Sequence, residues 1–401
     1  MGLLSRILED EKLSFENPPL PHLKVGEGVL FSIPEYLHRQ GFSRVALITG
    51  GDSYSAGGYR EHFEEQLRAA GIEAPHFPVS GEPSPLKVDQ IRDTVAELQV
   101  DAVLAVGGGS VIDTAKAVTV MLHHQGSVRE YLEGVGSRVP KPQRHPLIAI
   151  PATSGTGSEA SKNAVISEVG EQGFKKSLRN DAYVPDMAVL DPLVIKSCPY
   201  DVTAASGMDA VTQLLEAYVS IKATPFTDAL ALNGLQRSRW SLPASLRDGE
   251  NLNARGQMAY AAYLSGVALA GAGLGVVHGL ASPLGALRNI PHGVVCGTLL
   301  PAATERVVDK LLKGDTESRG LAKYSQAAMV FTGSDHGSAE HNCRALVDEF
   351  YHWAEEFSLP VLSDYGFTSA ELRDIADSSS VKGTPVDLTP DEIYSILARR
   401  L

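Results

Sequence analysis

VLAVGGGSVIDTAKA, from Val103 to Ala117, passes from four apolar residues into three glycines and then into a helical pattern opened by Ser110. Val103–Val106 reads as a buried parallel strand ended by glycine. Gly107, Gly108 and Gly109 let backbone N–H groups converge on an anion with no Cβ in the way. The positive end of the helix that follows also favours phosphate. Strand, glycine turn and helix in this order form the unit of a doubly wound sheet, where ligands sit at the strands' carboxyl ends.

Outward from this stretch the pattern repeats. Val45–Ile48 and Leu147–Ile150 read as further strands, with Gly58–Ala70 and Val88–Leu98 as helices between strands. A second run, PATSGTGSEAS from Pro151 to Ser161, follows a strand directly and offers Thr153, Ser154, Thr156 and Ser158 as hydroxyl donors around Gly155 and Gly157. Its place in a chain already carrying GGGS favours a second ligand loop over a merely polar one. The spacing is not the GxGxxG fingerprint. Asp113 and Lys116, three apart on the helix, read either as a local ion pair or as part of the site. Val45–Ile48 runs into Thr49-Gly50-Gly51-Asp52-Ser53, where a dinucleotide's ribose is usually read. The two glycines and the serine leave room for a 2′-phosphate while Asp52 opposes one, a balance that tilts towards NADP over NAD.

The chain has 401 residues, 43% hydrophobic and 21% charged, enough for two domains with separate cores. A net charge of −13 without long basic runs excludes nucleic acid as the expected partner. Cys198, Cys296 and Cys343 form no CxxC pair, which points to free thiols and a cytoplasmic protein. MGLLSRILEDEKLSF reads neither as a secretion signal nor, with Arg6 where Ser or Thr is required, as a myristoylation site. Residues 256–287 carry no Asp, Glu, Lys or Arg, yet their glycines, Gln257, His278 and Pro283 fit a buried helix pair better than a lipid-facing span.

From about Pro199 long helical patterns take over. The boundary falls near Ile195–Tyr200, which divides the chain into an α/β domain over 1–197 and an all-helical domain over 198–401. GMDAVTQLLEAYVS, Gly207 to Ser220, puts Asp209, Thr212, Gln213, Glu216 and Ser220 on one helix face and Val211, Leu214, Leu215 and Tyr218 on the other. Alone, such a polar stripe reads as solvated surface. His278 and His292 change the reading, because each lies in apolar sequence and is followed by glycine; a carboxylate with two imidazoles suits a divalent first-row metal. In the tail, Thr368 and Thr389 each open a helix with acidic residues in its first turn.

VGGGSVIDTAKA, PATSGTGSEAS, VPDMAVLDP, GMDAVTQLLEAYVS and VVHGLASPLGALRNIPHGVVCGTLLP, in this order, resemble the iron-containing (group III) alcohol dehydrogenases, akin to glycerol dehydrogenase and dehydroquinate synthase. The resemblance implies a dinucleotide-binding N-terminal domain with a parallel sheet, a helical C-terminal domain, a metal between them and a homodimer. It matches Gly107, Gly108, Gly109 and Ser110 to a pyrophosphate loop, Thr153, Ser154, Gly155 and Thr156 to a second cofactor loop, and Asn163 and Lys175 to further cofactor contacts. Asp209, His278 and His292 match metal ligands. A family histidine is replaced by Gln213, which offers at most an amide oxygen, and another by Ser282. A loosely held Fe(II) or Zn(II) is therefore expected.

The resulting expectation is an NAD(P)-dependent oxidoreductase that interconverts a small alcohol with its aldehyde or ketone, catalysis passing through the metal on Asp209, His278 and His292. Gly50 and Asp113 join the cofactor set. The alternatives are a metal-independent reductase resembling maleylacetate reductase, a lyase resembling dehydroquinate synthase, and a binding protein without turnover. The lyase requires several cations to grip a phosphorylated acid, and only Lys162, Lys175 and Arg288 are at hand.

Overall fold

The computed structural model describes Ile7 and residues 13–401 except 171, 380 and 382. The N-terminal segment discussed above thus lies largely outside the described residues. Six parallel strands, β1 (His22–Val25), β2 (Val45–Gly50), β3 (His76–Val79), β4 (Ala102–Gly107), β5 (Leu147–Pro151) and β8 (Met187–Leu190), pair in the order β1-β8-β5-β4-β2-β3. An antiparallel ribbon of β6 (Asn163–Glu168) and β7 (Phe174–Arg179) stands apart from them. The helices among the strands are α1 (Ile33–Arg39), α2 (Gly51–Ala56), α3 (Arg60–Ala69), α4 (Pro85–Leu98), α5 (Gly109–Met121) and α6 (Pro192–Ile195). Each predicted strand is present and one or two residues longer than read, whereas the first predicted helix starts later, at Arg60, because Gly57 and Gly58 lead into it.

Strands β2, β4 and β5 are buried throughout, as expected for apolar runs covered on both faces. From β2 the chain crosses to β3 on one side and then to β4 on the other, so the order reverses between β2 and β4. The carboxyl ends Gly50 and Gly107 flank that reversal, which is where open α/β sheets bind ligands. Helix α5 is buried from Val111 to Met121, with α4 and the β6–β7 ribbon among its neighbours.

The rest of the chain is helical: α7 (Tyr200–Val219), α8 (Pro225–Arg247), α9 (Leu252–Ala272), α10 (Val276–Leu287), α11 (His292–Lys313), α12 (Arg319–Thr332), α13 (Ala339–Glu356), α14 (Ser369–Ser378) and α15 (Pro390–Ala398). Thr368 and Thr389 cap α14 and α15 as read, each reciprocated by Glu371 or Glu392. Helices α8, α9 and α11 surround α7, and every residue from Gly207 to Val219 is buried. The polar stripe therefore faces the interior, in line with the two histidines and against what its pattern alone would give. Helices α9 and α10 form the anticipated apolar pair, bent by 99°. Gly273 makes the bend at φ 67°, ψ −174°, a conformation essentially confined to glycine. Among the described residues, no single helix is long and apolar enough to cross a membrane.

Candidate functional site

The two glycine-rich runs meet at the reversal of strand order. Ala152 donates its backbone N–H to Gly107 O across the ends of β4 and β5. Close packing requires the glycines as much as any ligand does: a Cβ on Gly107 would fall 2.5 Å from the Val111 side chain, and one on Gly109 would fall 2.6 Å from Thr156 Oγ1. Thr153 and Thr156 thereby lie directly over the N-terminus of α5. Gly155 packs against Ser206 of α7, and Gly157, at φ 62°, lies against Gly266 of α9, where an added Cβ would meet Gly266 Cα at 2.5 Å. The loop is clamped between the sheet and the helices.

A cleft of about 840 Å³ opens there, lined by Gly50, Asp52, Gly108, Gly109, Ser110, Thr153, Thr156, Asp209 and His292 among others. A smaller cavity of about 230 Å³ shares Gly109, Ser110, Thr156, His292 and Glu82 with it, and adds Asp113, Asn163, Lys175, Gln213, Leu269, Leu274, His278 and Ser282. Most residues singled out in the sequence reach one of these walls. Gly107, Ser154 and Gly155 do not: they lie behind the loops, and the buried Ser154 Oγ has no protein partner. Asp113 accepts from Val165 N at 3.0 Å and lies 3.8 Å from Lys116 Nζ, so the ion-pair reading is also realised. Lys116 donates to Ser161 O at 2.8 Å and Asn163 O at 2.7 Å, tying the second loop to α5. Burial pushes its ammonium down to about 8. Lys162, Lys175 and Arg288 are each engaged by a carboxylate, of Asp181, Glu82 and Glu371 respectively. They make a poor grip for a phosphorylated acid.

Helices α7, α10 and α11 bring Asp209, His278 and His292 together. His278 Nε2 lies 3.2 Å and His292 Nε2 3.8 Å from Asp209 Oδ1. Cys296, one turn after His292, joins them, its Sγ 3.5 Å from His278 Nε2 and 3.7 Å from His292 Nε2. One donor atom from each of the four lies within 4.8 Å of the others. For metal–ligand bonds of 2.0–2.3 Å, a tetrahedron has edges of about 3.3–3.7 Å, close to the spacings found. The buried Asp209 Oδ2 and His292 Nδ1 have no protein partner. Donor types, spacing and the orphaned Asp209 Oδ2 fit a divalent cation.

Glu216, two turns beyond Asp209 on α7, accepts from His278 Nδ1 at 2.8 Å and from Val277 N at 2.7 Å. Its carboxylate thus holds the imidazole with Nε2 turned to Asp209 and satisfies the N-terminus of α10. Burial works against a proton on His278, but Cys296, Asp209 and Glu216 together raise its affinity well above that of an ordinary imidazole. His292 goes the other way, lowered to about 4, chiefly by burial. Burial likewise pushes the Cys296 thiol up to about 12. The Gln213 amide is engaged elsewhere: Oε1 accepts from Ser265 Oγ at 2.7 Å and Nε2 donates to Thr156 O at 3.3 Å. Glu216, Cys296 and Glu82 were not singled out as site residues from sequence; only the polar stripe held a trace of Glu216.

Comparison with known proteins follows the same division. Residues 21–192 match the iron-containing alcohol dehydrogenase model, and residues 203–401 match the C-terminal model of the Fe-containing alcohol dehydrogenase family. The chain is 33% identical to the NAD-dependent methanol dehydrogenase of Bacillus methanolicus over 77% of its own length and 83% of that protein. It is 30% identical to the choline dehydrogenase of Bacillus subtilis over 96% and 94% of the two chains. The solved alcohol dehydrogenase from Oenococcus oeni superposes with a TM-score of 0.87 at 26% identity, covering 97% of this chain and all of that one.

Proposed function

Because the chain belongs to the iron-containing alcohol dehydrogenase family, we propose that it interconverts a small alcohol with its aldehyde or ketone by hydride exchange with a bound dinucleotide, assisted by a divalent cation at Asp209, His278 and His292. One observation carries this reading. Asp209 and His292, which belong to the four-donor cluster, line the same cleft as the glycine-rich start of α5 and the Thr153–Thr156 loop.

In this reading Gly108, Gly109 and Ser110 present backbone N–H groups and the positive helix end to the pyrophosphate. Thr153 and Thr156 offer hydroxyls beside them, while Gly107, Ser154 and Gly155 shape the loops from behind. Gly50 and Asp52 lie where the adenosine ribose is read. Among the described residues lining that cleft there is no Lys or Arg to meet a 2′-phosphate, and Asp52 is placed to accept from a ribose hydroxyl. This favours NAD, against the NADP tilt taken from the glycines and the serine. The smaller cavity, with Leu269 and Leu274 as apolar wall and Asn163, Lys175 and Ser282 as polar wall, suits a short-chain alcohol. When bound, the dinucleotide and the cation would supply hydride transfer and Lewis acidity at the substrate oxygen. Asp209, His278 and His292 hold the cation at the substrate's end of the cleft, Glu216 orients His278, and the surrounding helices exclude water.

The test is purified protein loaded with Zn(II) or Fe(II) and offered short primary alcohols with NAD or NADP. Accumulation of reduced nicotinamide is expected, with at least about a hundredfold loss of kcat/KM in Asp209→Ala. Absence of hydride transfer with every alcohol, or full activity in that variant, overturns the reading.

A further inference from the structure

We infer that Cys296 is a fourth ligand of the cation, completing an Asp209/His278/His292/Cys296 set that selects zinc over iron. The inference rests on the metal-assisted reading above and adds to it the identity of the remaining donor.

Cys296 is fully buried, and its sulfur faces both imidazoles at 3.5 and 3.7 Å. These are the spacings of neighbouring ligands around one small ion, as estimated from bonds of about 2.0 Å to nitrogen and 2.3 Å to sulfur. Helix α11 dictates the placement: residues four apart share one face, so His292 brings Cys296 with it. Across the site, Gln213 is held by Ser265 and Thr156, so its amide braces the cofactor loop while the sulfur supplies the fourth protein donor from the opposite helix, and a substrate oxygen would enter as a fifth ligand. The site thus regains through α11 the donor that the resemblance expects on α7.

A thiolate changes the chemistry. It is a soft, anionic donor, favoured by Zn(II) and ill matched to the harder oxygen-rich sites. With Asp209 it balances a dication's two positive charges, which strengthens retention and moderates Lewis acidity. Binding replaces the thiol proton, which leaves to solvent as the sulfur–metal bond forms. A tightly held zinc is expected in place of a loosely held metal.

The full chain, stripped with chelator and reloaded with Co(II), is expected to show thiolate-to-cobalt charge-transfer absorption in the near ultraviolet. Cys296→Ser should abolish the band and weaken Zn(II) retention against a competing chelator by at least about tenfold, the lower bound for losing even an outer partner of a metal ligand. Cys198→Ala should leave both unchanged. X-ray absorption of the wild-type zinc protein, which needs no variant to fold, should show sulfur at about 2.3 Å. A cation bound by nitrogen and oxygen alone, or iron retained in preference to zinc from an equimolar mixture, overturns the inference and leaves the metal-assisted reading standing. Failure of the wild-type chain to retain any cation overturns both.

Discussion

Glu216 holds His278 and the residue before it across the interface of α7 and α10: one carboxylate oxygen accepts the imidazole Nδ1–H, and the other accepts the backbone N–H of Val277. The arrangement leaves Nε2 as the only ring nitrogen directed at Asp209. In Glu216→Gln the amide offers one acceptor where the carboxylate offers two, so the ring loses its orientation. Cation affinity should fall about 10- to 100-fold, measured by competition with a chelator. Unchanged affinity would show that the helix, not the carboxylate, sets the ring.

Gly157 and Gly266 touch where the second loop crosses α9; a Cβ on Gly266 would be 2.3 Å from Gly157 O. Gly266→Ala must push the loop away from the helices. A loss of about 1–3 kcal/mol in unfolding free energy is expected from overpacking, together with weaker dinucleotide binding, read by nicotinamide fluorescence. Wild-type affinity in a destabilised variant would separate the loop's position from its function.

Burial raises the Glu159 carboxyl from an ordinary 4.5 to about 7 in the folded chain. A raised folded-state value means that the contribution is intact below the unfolded value, near 4.5, and is lost as pH rises through about 7. At 1.36 kcal/mol per unit, the shift corresponds to a loss of about 3 kcal/mol across that window. Denaturant unfolding at pH 5 and at pH 8 should show Glu159→Gln relatively more stable at the higher pH. An identical pH dependence in variant and wild type would refute the assignment.

Asp52 opens α2 at the carboxyl end of β2 and lines the large cleft. Removing its charge in Asp52→Ser should move the ratio of kcat/KM for NADP to that for NAD upward by about tenfold, equivalent to about 1.4 kcal/mol. A ratio unaffected by the change would place the ribose elsewhere.

The parallel sheet was legible in β2, β4 and β5, which are uninterrupted apolar runs buried on both faces, whereas β8, equally buried but only four residues long, went unread. Strands β1 and β3 lie at the sheet's edges, β3 with Pro78 inside it, and β7 carries Lys175, Lys176 and Arg179. Such segments lack the apolar signature and escaped notice. Asp209, His278 and His292 could be picked out because a carboxylate and two imidazoles are conspicuous in apolar helical sequence. Their convergence could not be read, because it depends on the bend at Gly273 and on the crossing of three helices. The periodicity of α7 gave its two faces correctly but not what covers them, so Glu216 was assigned no role. Cys296 was read only as a free thiol, because cysteine in apolar helices is common and carries no sign of its neighbours.

Ser206, Asp209 and Glu216 are all carried by α7, and through Ser206 this helix also bears on the Thr153–Thr156 loop at Gly155. One helix therefore fixes the separation between Asp209, with its neighbouring donors, and the Thr153–Thr156 loop, the two parts that the proposed hydride exchange must hold in line. In the proposed reading, exchanges at Leu269 and Leu274 would reshape the wall that meets the alcohol without touching that separation.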